Sequence, residues 1–312
     1  MRGIAQRTKE LILFCRELLE ELHPMTLRQL HYAIFSRQEI DYTNTQKDYR
    51  RLSRVTTDAR RAYREWQLIG LTEETSPPAL SFPGSWMVDE TREAEVPNVW
   101  ENATAYLEAT KRDYRRNNWQ GQIEYCEVLS EKATVLSSIR PIADEWGITL
   151  RVCHGFSSTG MESETGLLFA GLARKIITVF YLGDHDPSGH CIEEDIHRRV
   201  ETSSGRSFRM MRLAIHPEDI EEFDLPPQLV KDTDTRAHSF RQKYGENAAT
   251  VELDALPVDE LRNRIEEAVN GLLDMEAWNH QVRIQQVEFE SIARIADTIK
   301  NLPQIQAPEN RA

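Results

Sequence analysis

The sequence predicts an α/β protein, with an N-terminal helical module followed by a mostly parallel sheet that carries helices on both faces. Two observations support this fold class. Helical patterns fill residues 1–66, and from residue 121 onward strand and helix patterns alternate. The 312 residues suffice for two domains with a core each. With 40% hydrophobic and 29% charged residues, collagen-like, low-complexity and wholly disordered classes are excluded.

The N-terminal module is predicted to contain three helices. Apolar residues at helical spacing mark the first helix over 7–22. The capping-box pattern Thr26-Leu-Arg-Gln29 begins the second, and the third spans 46–66. Three short helices of which the last is basic resemble a helix-turn-helix or winged-helix module, assigned to residues 1–70.

The remaining chain is predicted to hold a connecting region and a sheet domain. Residues 71–98 are rich in proline and lack periodicity, which indicates a linker, and a helix over 99–117 completes the connecting region 71–118. The sheet domain is assigned to 119–303 and a loose tail to 304–312. Strands are expected at Ile123–Ser130, Ile148–Cys153, Ile176–Leu182, Phe208–Ile215 and Val251–Leu253, and helices at 132–146, 163–174, after 183–189, and at 257–273 and 275–300.

Charge divides the chain unevenly. Residues 1–66 hold 13 Lys/Arg against 9 Asp/Glu, whereas the rest holds 25 against 42. This asymmetry indicates a basic module attached to an acidic body. On the third helix we interpret the basic side chains as phosphate contacts rather than as a solvated helix face. The predicted DNA-binding residues are Lys47, Arg50, Arg51, Arg54, Arg61 and Arg64.

The sequence also indicates the compartment. No apolar run approaches the roughly 20 residues that a membrane helix needs, and the first residues lack the apolar segment of a secretory signal. The four cysteines lie far apart and form no CxxC pair, so we expect reduced, buried thiols rather than disulfides or a zinc site. A cytoplasmic protein without membrane association is expected.

Carboxylates follow two predicted strands of the sheet. Glu131 follows the first strand, and Asp184 and Asp186 follow the most apolar one, Ile176–Leu182. In open parallel sheets the ligand crevice lies at the carboxyl ends of the strands. Oxygen ligands without His or Cys partners suit Mg²⁺. The alternative is an ordinary surface turn. We interpret His185, between the two aspartates, as a structural residue or, at most, as one that supports the ligands.

A tyrosine on the second helix is a candidate nucleophile. At about 100° per residue, Tyr32 lies off the apolar face and on the side of Arg28, so we expect it to be partly exposed beside a guanidinium. A tyrosine hydroxyl can attack a phosphodiester when a base or metal activates it and a cation stabilises the developing charge. The alternative is an ordinary surface tyrosine.

Four segments resemble known motifs in the same order along the chain. Val128-Leu-Ser-Glu-Lys132 and Leu182-Gly-Asp-His-Asp-Pro-Ser-Gly189 resemble the TOPRIM domain, whose signature is a Glu after the first strand and a DxD after a later one. Thr26-Leu-Arg-Gln-Leu-His-Tyr32 resembles the catalytic motif of the topoisomerase VI A subunit and of the related meiotic double-strand-break enzyme. Val251-Glu-Leu-Asp-Ala-Leu256 is similar to a motif near the end of that family's TOPRIM region. The length is closest to the short Mini-A type.

The resemblance implies a function for five residues. Tyr32 would attack a DNA phosphate and form a 5′-phosphotyrosyl link, with Arg28 assisting at that phosphate. Glu131, Asp184 and Asp186 would bind Mg²⁺. The resemblance further implies a homodimer on double-stranded DNA in which the tyrosine of one protomer meets the metal site of its partner. The implied activity is DNA cleavage of the type IIB topoisomerase A-subunit kind, in a nucleoid-associated protein.

The sequence departs from the family pattern in specific ways. His31 stands where the family has the first of two tyrosines, and this imidazole is a candidate base. Glu252 matches a family acid near the metal. Because the sequence shows no ATPase domain, a separate B-type ATPase subunit would be needed for strand passage. Two alternatives remain: a hydrolytic TOPRIM nuclease, in defence against foreign DNA for example, and a catalytically silent DNA-binding dimer. A primase is less favoured, since no zinc-ligand cluster is visible.

Overall fold

A computed structural model confirms the α/β class and the parallel sheet, which has four strands. The chain divides into two compact units, one of Met1–Glu93 with Glu124–Gly271 and one of Ala94–Ile123 with Leu272–Ala312. The first unit therefore contains both the predicted N-terminal module and the sheet. The structure describes residues 5–68, 76–88, 97, 99–153, 159–172, 174–230 and 235–300.

The described residues form eleven α-helices and eight strands. The helices are α1 Gln6–Leu22, α2 Leu27–Arg37, α3 Gln46–Leu68, α4 Ala103–Asp113, α5 Ala133–Trp146, α6 Thr159–Gly171, α7 Pro187–Ser204, α8 Asp219–Glu222, α9 Ala237–Tyr244, α10 Val258–Asn270 and α11 Met275–Lys300. The strands are β1 Met25–Thr26, β2 Met87–Val88, β3 Glu124–Ser130, β4 Thr149–Val152, β5 Ile176–Leu182, β6 Arg209–Ala214, β7 Gln228–Leu229 and β8 Ala249–Thr250.

The N-terminal module has an apolar core of its own. Helices α1, α2 and α3 bury Leu18, Leu30 and Leu52, and α2 begins at the predicted capping box, in which Thr26 and Gln29 bond reciprocally. The segment 80–88, which the sequence assigns to a linker, packs into this core. Its strand β2 pairs with β1 in parallel. Apolar side chains such as Phe82 and Met87 explain this packing, because their burial outweighs the irregular backbone around the prolines.

The main sheet has the strand order β4-β3-β5-β6, and all its pairs are parallel. Right-handed crossovers in this order put α5 on one face and α6 and α7 on the other. Strand β5 is buried on both sides: Ile177, Val179 and Tyr181 pack with the α6–α7 layer, and the alternate residues are buried as well. The prediction of an α/β protein with a parallel sheet is thus confirmed.

One predicted strand is wrong. At Val251–Leu253 the chain forms a single antiparallel bridge from Val251 to His185, followed by a short 3-10 helix at Leu253–Ala255. The ladder stops because the Leu253 amide donates to Asp184 Oδ1 at 2.7 Å rather than to a neighbouring strand. The predicted helix 99–117 is shorter than expected, because Asn102 caps it and it ends at Asp113.

The second unit contains α4 and α11. Trp119 and Trp278 meet edge to face with ring centroids 5.9 Å apart, and Arg116 pairs with Glu288 at 2.6 Å. The loop 154–158, the tail 304–312 and parts of the predicted linker lie outside the described residues. No helix of the described chain is long and apolar enough to cross a membrane.

None of the four cysteines, all of which lie in the described part of the chain, forms a disulfide. Cys15, Cys126 and Cys153 are buried as predicted, and Cys191 is half-buried. Burial raises the pKa of the three buried thiols. They are therefore side chains of the core and not nucleophiles.

Candidate functional site

The register of the sheet brings the predicted carboxylates to one edge. Ser130 at the end of β3 pairs with Leu182 at the end of β5, so Glu131 and Gly183 leave the sheet side by side. The Glu131 amide donates to the Leu182 carbonyl at 3.1 Å. Farther along the same loop, Asp186 caps α7 by accepting from the Gly189 amide at 2.6 Å. Pro187 then lies in the first turn of that helix.

The side chain of Glu131 is tightly packed at this edge of the sheet. Its Oε1 accepts a short hydrogen bond from the Tyr181 hydroxyl. A Cβ at Gly183 would collide with Oε1, and one at Gly189 would lie 3.0 Å from it. Burial raises the pKa of Glu131 to about 7. The hydrogen bond from Tyr181 lowers this pKa, and the negative charges of Asp184 and Asp186 raise it further. The three carboxylates are thus close enough to repel one another.

Lys132, for which the sequence predicts no role, is the cation among the carboxylates of this site. Lys132 Nζ lies 2.9 Å from Asp184 Oδ1, 2.9 Å from Asp254 Oδ2 and 3.9 Å from Glu252 Oε2. Burial would lower the pKa of Lys132, but the charges of Asp254 and Asp184 outweigh it and raise the pKa. The ammonium is therefore a fixed positive charge.

The donor set suits a hard divalent cation. Glu131, Asp184 and Asp186 offer carboxylate oxygens, which Mg²⁺ prefers, and their mutual repulsion would be relieved by a cation. Asp254 Oδ1 is buried without a hydrogen-bond partner in the described chain. Within the described ranges, however, no three His, Cys, Asp or Glu side chains are arranged to hold one metal ion. The ligand chemistry fits Mg²⁺, and side-chain movement would be needed to bind it.

Helix α2 brings the candidate tyrosine to the same cluster. The Tyr32 hydroxyl donates to Glu252 Oε2 at 3.3 Å. Arg28 donates to both oxygens of that carboxylate, from Nε at 2.8 Å and from Nη2 at 2.6 Å. The guanidinium also lies 6.0 Å from the centre of the Tyr32 ring. The prediction that Arg28 and Tyr32 lie next to each other is confirmed.

The expected exposure of Tyr32 is wrong. Tyr32 is only 4% exposed, because the 3-10 helix at 253–255 and Glu252 cover the face of α2 that looks polar in the sequence. Burial raises the pKa of Tyr32 to about 12, with a further rise from the charge of Glu252 that Arg28 opposes. The phenol is therefore protonated in this state.

His31 does not lie where a base for Tyr32 is expected, whereas Glu252 lies next to the phenol. His31 is buried, and its two ring nitrogens bond Tyr42 Oη and Asn44 Oδ1, so neither faces the Tyr32 hydroxyl. Burial lowers the pKa of His31. Burial would raise the pKa of Glu252, but the hydrogen bond from Arg28 and the charge of Lys132 hold it below its ordinary value. Glu252, and not His31, is the acceptor next to the phenol.

His185 is a structural residue, one of the two roles left open for it. Its Nδ1 lies 3.1 Å from Nε2 of His190, and its ring packs at a tilt against Phe240 and edge to face against Tyr244. Burial lowers the pKa of His185 to about 4 and that of His190 to about 3. Both rings are therefore neutral at neutral pH.

The basic side chains of α3 fall into two groups. Arg51 is half-buried and donates to the Arg7 carbonyl at 2.8 Å, so it holds α3 against α1 rather than facing solvent. The other predicted residues are exposed: Lys47, Arg50, Arg54, Arg61 and Arg64. Their spacing forms a basic stripe along one side of the helix. Arg51 is thus engaged within the N-terminal module, whereas the five other side chains face solvent.

A cleft opens beside the acidic edge, with Glu252 in its wall. Its lining is mostly polar and includes Asp184, Asp186, Ser188, Gln228, Thr250 and Glu252. Three carboxylates in one cleft repel an anionic ligand unless cations compensate for them. Lys132 and Arg28 are the nearest described cations to Glu252.

Three residues of the site could not be identified from the sequence alone: Lys132, Asp254 and Tyr181. Lys132 and Asp254 lie within the quoted motifs, but their pairing joins positions 122 residues apart. Tyr181 lies within the most apolar strand, and nothing in that pattern indicates that its hydroxyl contacts the site. A comparison of the chain with protein-family models and with curated proteins finds no match. The function is therefore inferred from the residues and contacts of the site itself.

Proposed function

We propose that this protein binds double-stranded DNA and cleaves it by Mg²⁺-dependent transesterification through Tyr32, in the manner of a topoisomerase VI A subunit. One observation carries the proposal: Tyr32 and Arg28, from an N-terminal helix, meet Glu252 and Lys132 beside Asp184. A potential nucleophile, two cations and several carboxylates thus lie together in one site. In this proposal the N-terminal module is a winged helix and the sheet domain is of the TOPRIM type.

Each group has a chemical task in the reaction. The Tyr32 oxygen forms a bond to the phosphorus, and the bond from phosphorus to the 3′ oxygen of the leaving strand breaks. Glu252 is the nearest acceptor for the phenol proton, and the leaving 3′ oxygen takes up a proton. Arg28 would stabilise negative charge on the phosphoryl oxygens. Glu131, Asp184 and Asp186 would hold Mg²⁺, which when bound supplies further charge stabilisation at the phosphate.

Partners follow from the same proposal. The basic stripe on α3 would contact the DNA backbone, and a homodimer would bring two tyrosines to the two strands. A separate B-type ATPase subunit would be required for strand passage. The protein would then be associated with the nucleoid.

Supercoiled plasmid tests the proposal. The protein is incubated with plasmid and Mg²⁺ or EDTA, denatured, and the DNA ends are examined for covalently attached protein. Protein-linked ends that require Mg²⁺ are expected. Free ends would favour the hydrolytic nuclease instead, and intact plasmid at saturating protein would favour the silent DNA-binding dimer.

The basic stripe makes a quantitative prediction. Replacing Arg50, Arg54 and Arg61 with glutamine should weaken duplex binding for all sequences, because three guanidinium groups no longer neutralise phosphates. The slope of log affinity against log salt should become shallower by about 0.9 for each phosphate that is no longer neutralised. Fluorescence anisotropy over a salt series measures it. Arg198→Gln, at an exposed arginine on α7, is the matched control, and equal slopes for the triple variant and this control would contradict the assignment.

A further inference from the structure

Glu252 is bound in this structure as an anionic ligand would be. Its carboxylate receives a two-point contact from Arg28, at 2.6 and 2.8 Å, and the Tyr32 hydroxyl donates to it at 3.3 Å. Lys132 Nζ lies 3.9 Å away on another side. A guanidinium fork, a hydroxyl donor and an ammonium are the groups that proteins also use to bind a phosphate.

The backbone around Glu252 does not depend on this side chain. Val251 exchanges two backbone hydrogen bonds with His185, at 2.9 and 3.0 Å. The Leu253 amide bonds Asp184 at 2.7 Å. These contacts anchor the segment on both sides of Glu252, so its carboxylate can leave Arg28 without unfolding the chain.

The site can also be reached from solvent. The side chain of Arg28 is 43% exposed and that of Glu252 is 25% exposed. Glu252 additionally lines the cleft that contains Asp184 and Asp186. An incoming anion can therefore approach the guanidinium while the glutamate is still bound, and the exchange of one anion for the other needs no opening of a core.

We propose that Arg28, Lys132 and Tyr32 form a phosphodiester-binding site that the carboxylate of Glu252 occupies in the free protein, so that DNA must displace Glu252 to reach Tyr32. This inference rests on the proposed function, because it takes a DNA phosphate as the competing ligand. A phosphodiester presents two equivalent oxygens, as a carboxylate does, and fits the same guanidinium fork. Glu252 is then an internal competitor that covers Tyr32 until the phosphate arrives, and its carboxylate, once released from Arg28, is free to take up the phenol proton.

Binding of a short duplex in EDTA, with inorganic phosphate as a second probe, tests the inference without any cleavage. Glu252→Ala should bind both probes about fivefold or more tightly than the wild type, since the competitor is gone. Glu252→Gln should change affinity in the same direction, and it retains an oxygen acceptor for Arg28. It therefore decides the question if the alanine variant does not fold.

Two controls separate competition at Arg28 from a general loss of negative charge. Glu246→Ala removes an exposed carboxylate elsewhere in the same unit and should change affinity less than about twofold. In an Arg28→Ala background, Glu252→Ala should give no gain, because there is no guanidinium left to release. A gain that persists in that background, or equal gains for Glu252→Ala and Glu246→Ala, would overturn the inference.

The result is independent of whether the DNA is cut. If Glu252→Ala gains affinity but no covalent adduct ever forms with the wild type, the phosphate site stands and the transesterase fails. If the adduct forms but Glu252→Ala gains nothing, the transesterase stands and the internal competitor is excluded.

Discussion

Replacing Tyr32 with phenylalanine is expected to abolish covalent attachment of the protein to DNA. The adduct should fall below about one thousandth of the wild-type level, because phenylalanine has no oxygen with which to form the phosphoester bond. Folding should be preserved, since the hydrogen bond that the hydroxyl donates to Glu252 is long, at 3.3 Å, and its loss costs about 1 kcal/mol. The adduct is measured by denaturing gel after incubation with plasmid and Mg²⁺.

Tyr49 provides the matched control for this substitution. Its ring also lies under the Arg28 guanidinium, 5.9 Å from Cζ, and it belongs to the same N-terminal module. Tyr49→Phe should retain the adduct and duplex binding. Undiminished adduct in Tyr32→Phe, or equal loss in both variants, would show that the hydroxyl of Tyr32 is not the nucleophile.

Replacing Lys132 with methionine is expected to destabilise the fold strongly. The ammonium compensates Asp184 and Asp254, and the side chain of Asp254 is only 4% exposed. Removing one partner of a buried ion pair leaves an uncompensated charge, at a cost of about 3–5 kcal/mol. Urea unfolding followed by circular dichroism measures the free energy of unfolding, with Lys9→Met on the exposed side of α1 as the control.

A double substitution makes the test of Lys132 specific. Lys132→Met combined with Asp254→Asn removes the cation and one of the charges it compensates. We expect the double variant to be more stable than the sum of the two single effects predicts, because the uncompensated carboxylate is absent. Strict additivity would contradict the ion-pair account, as would a destabilisation below about 1 kcal/mol for Lys132→Met alone.

Local patterns in the sequence predict the sheet and its acidic edge well. Strand β5 matches the predicted Ile176–Leu182, since an uninterrupted apolar run of that length has few alternatives in a parallel sheet. The order of strands and helices then fixes which loops meet at the carboxyl end of the sheet. The positions of Glu131, Asp184 and Asp186 follow from that topology.

Contacts between distant segments could not be predicted in the same way. Tyr32 and Glu252 are 220 residues apart, so nothing local signals that the polar side of α2 becomes buried. The amphipathic pattern of α2 identifies its apolar face but not what packs on the other. The same limit explains why Lys132 was overlooked, because its role depends on carboxylates contributed by two other segments.

Mapping the covalent adduct tests the central claim most directly. The protein–DNA product is digested with nuclease and trypsin, and the modified peptides are sequenced by mass spectrometry. We predict a nucleotide, linked through its 5′ phosphate, on the peptide Gln29–Arg37, whose one tyrosine is Tyr32. A nucleotide on any other residue, or cleaved DNA without a modified peptide, would contradict the assignment of Tyr32 as the nucleophile.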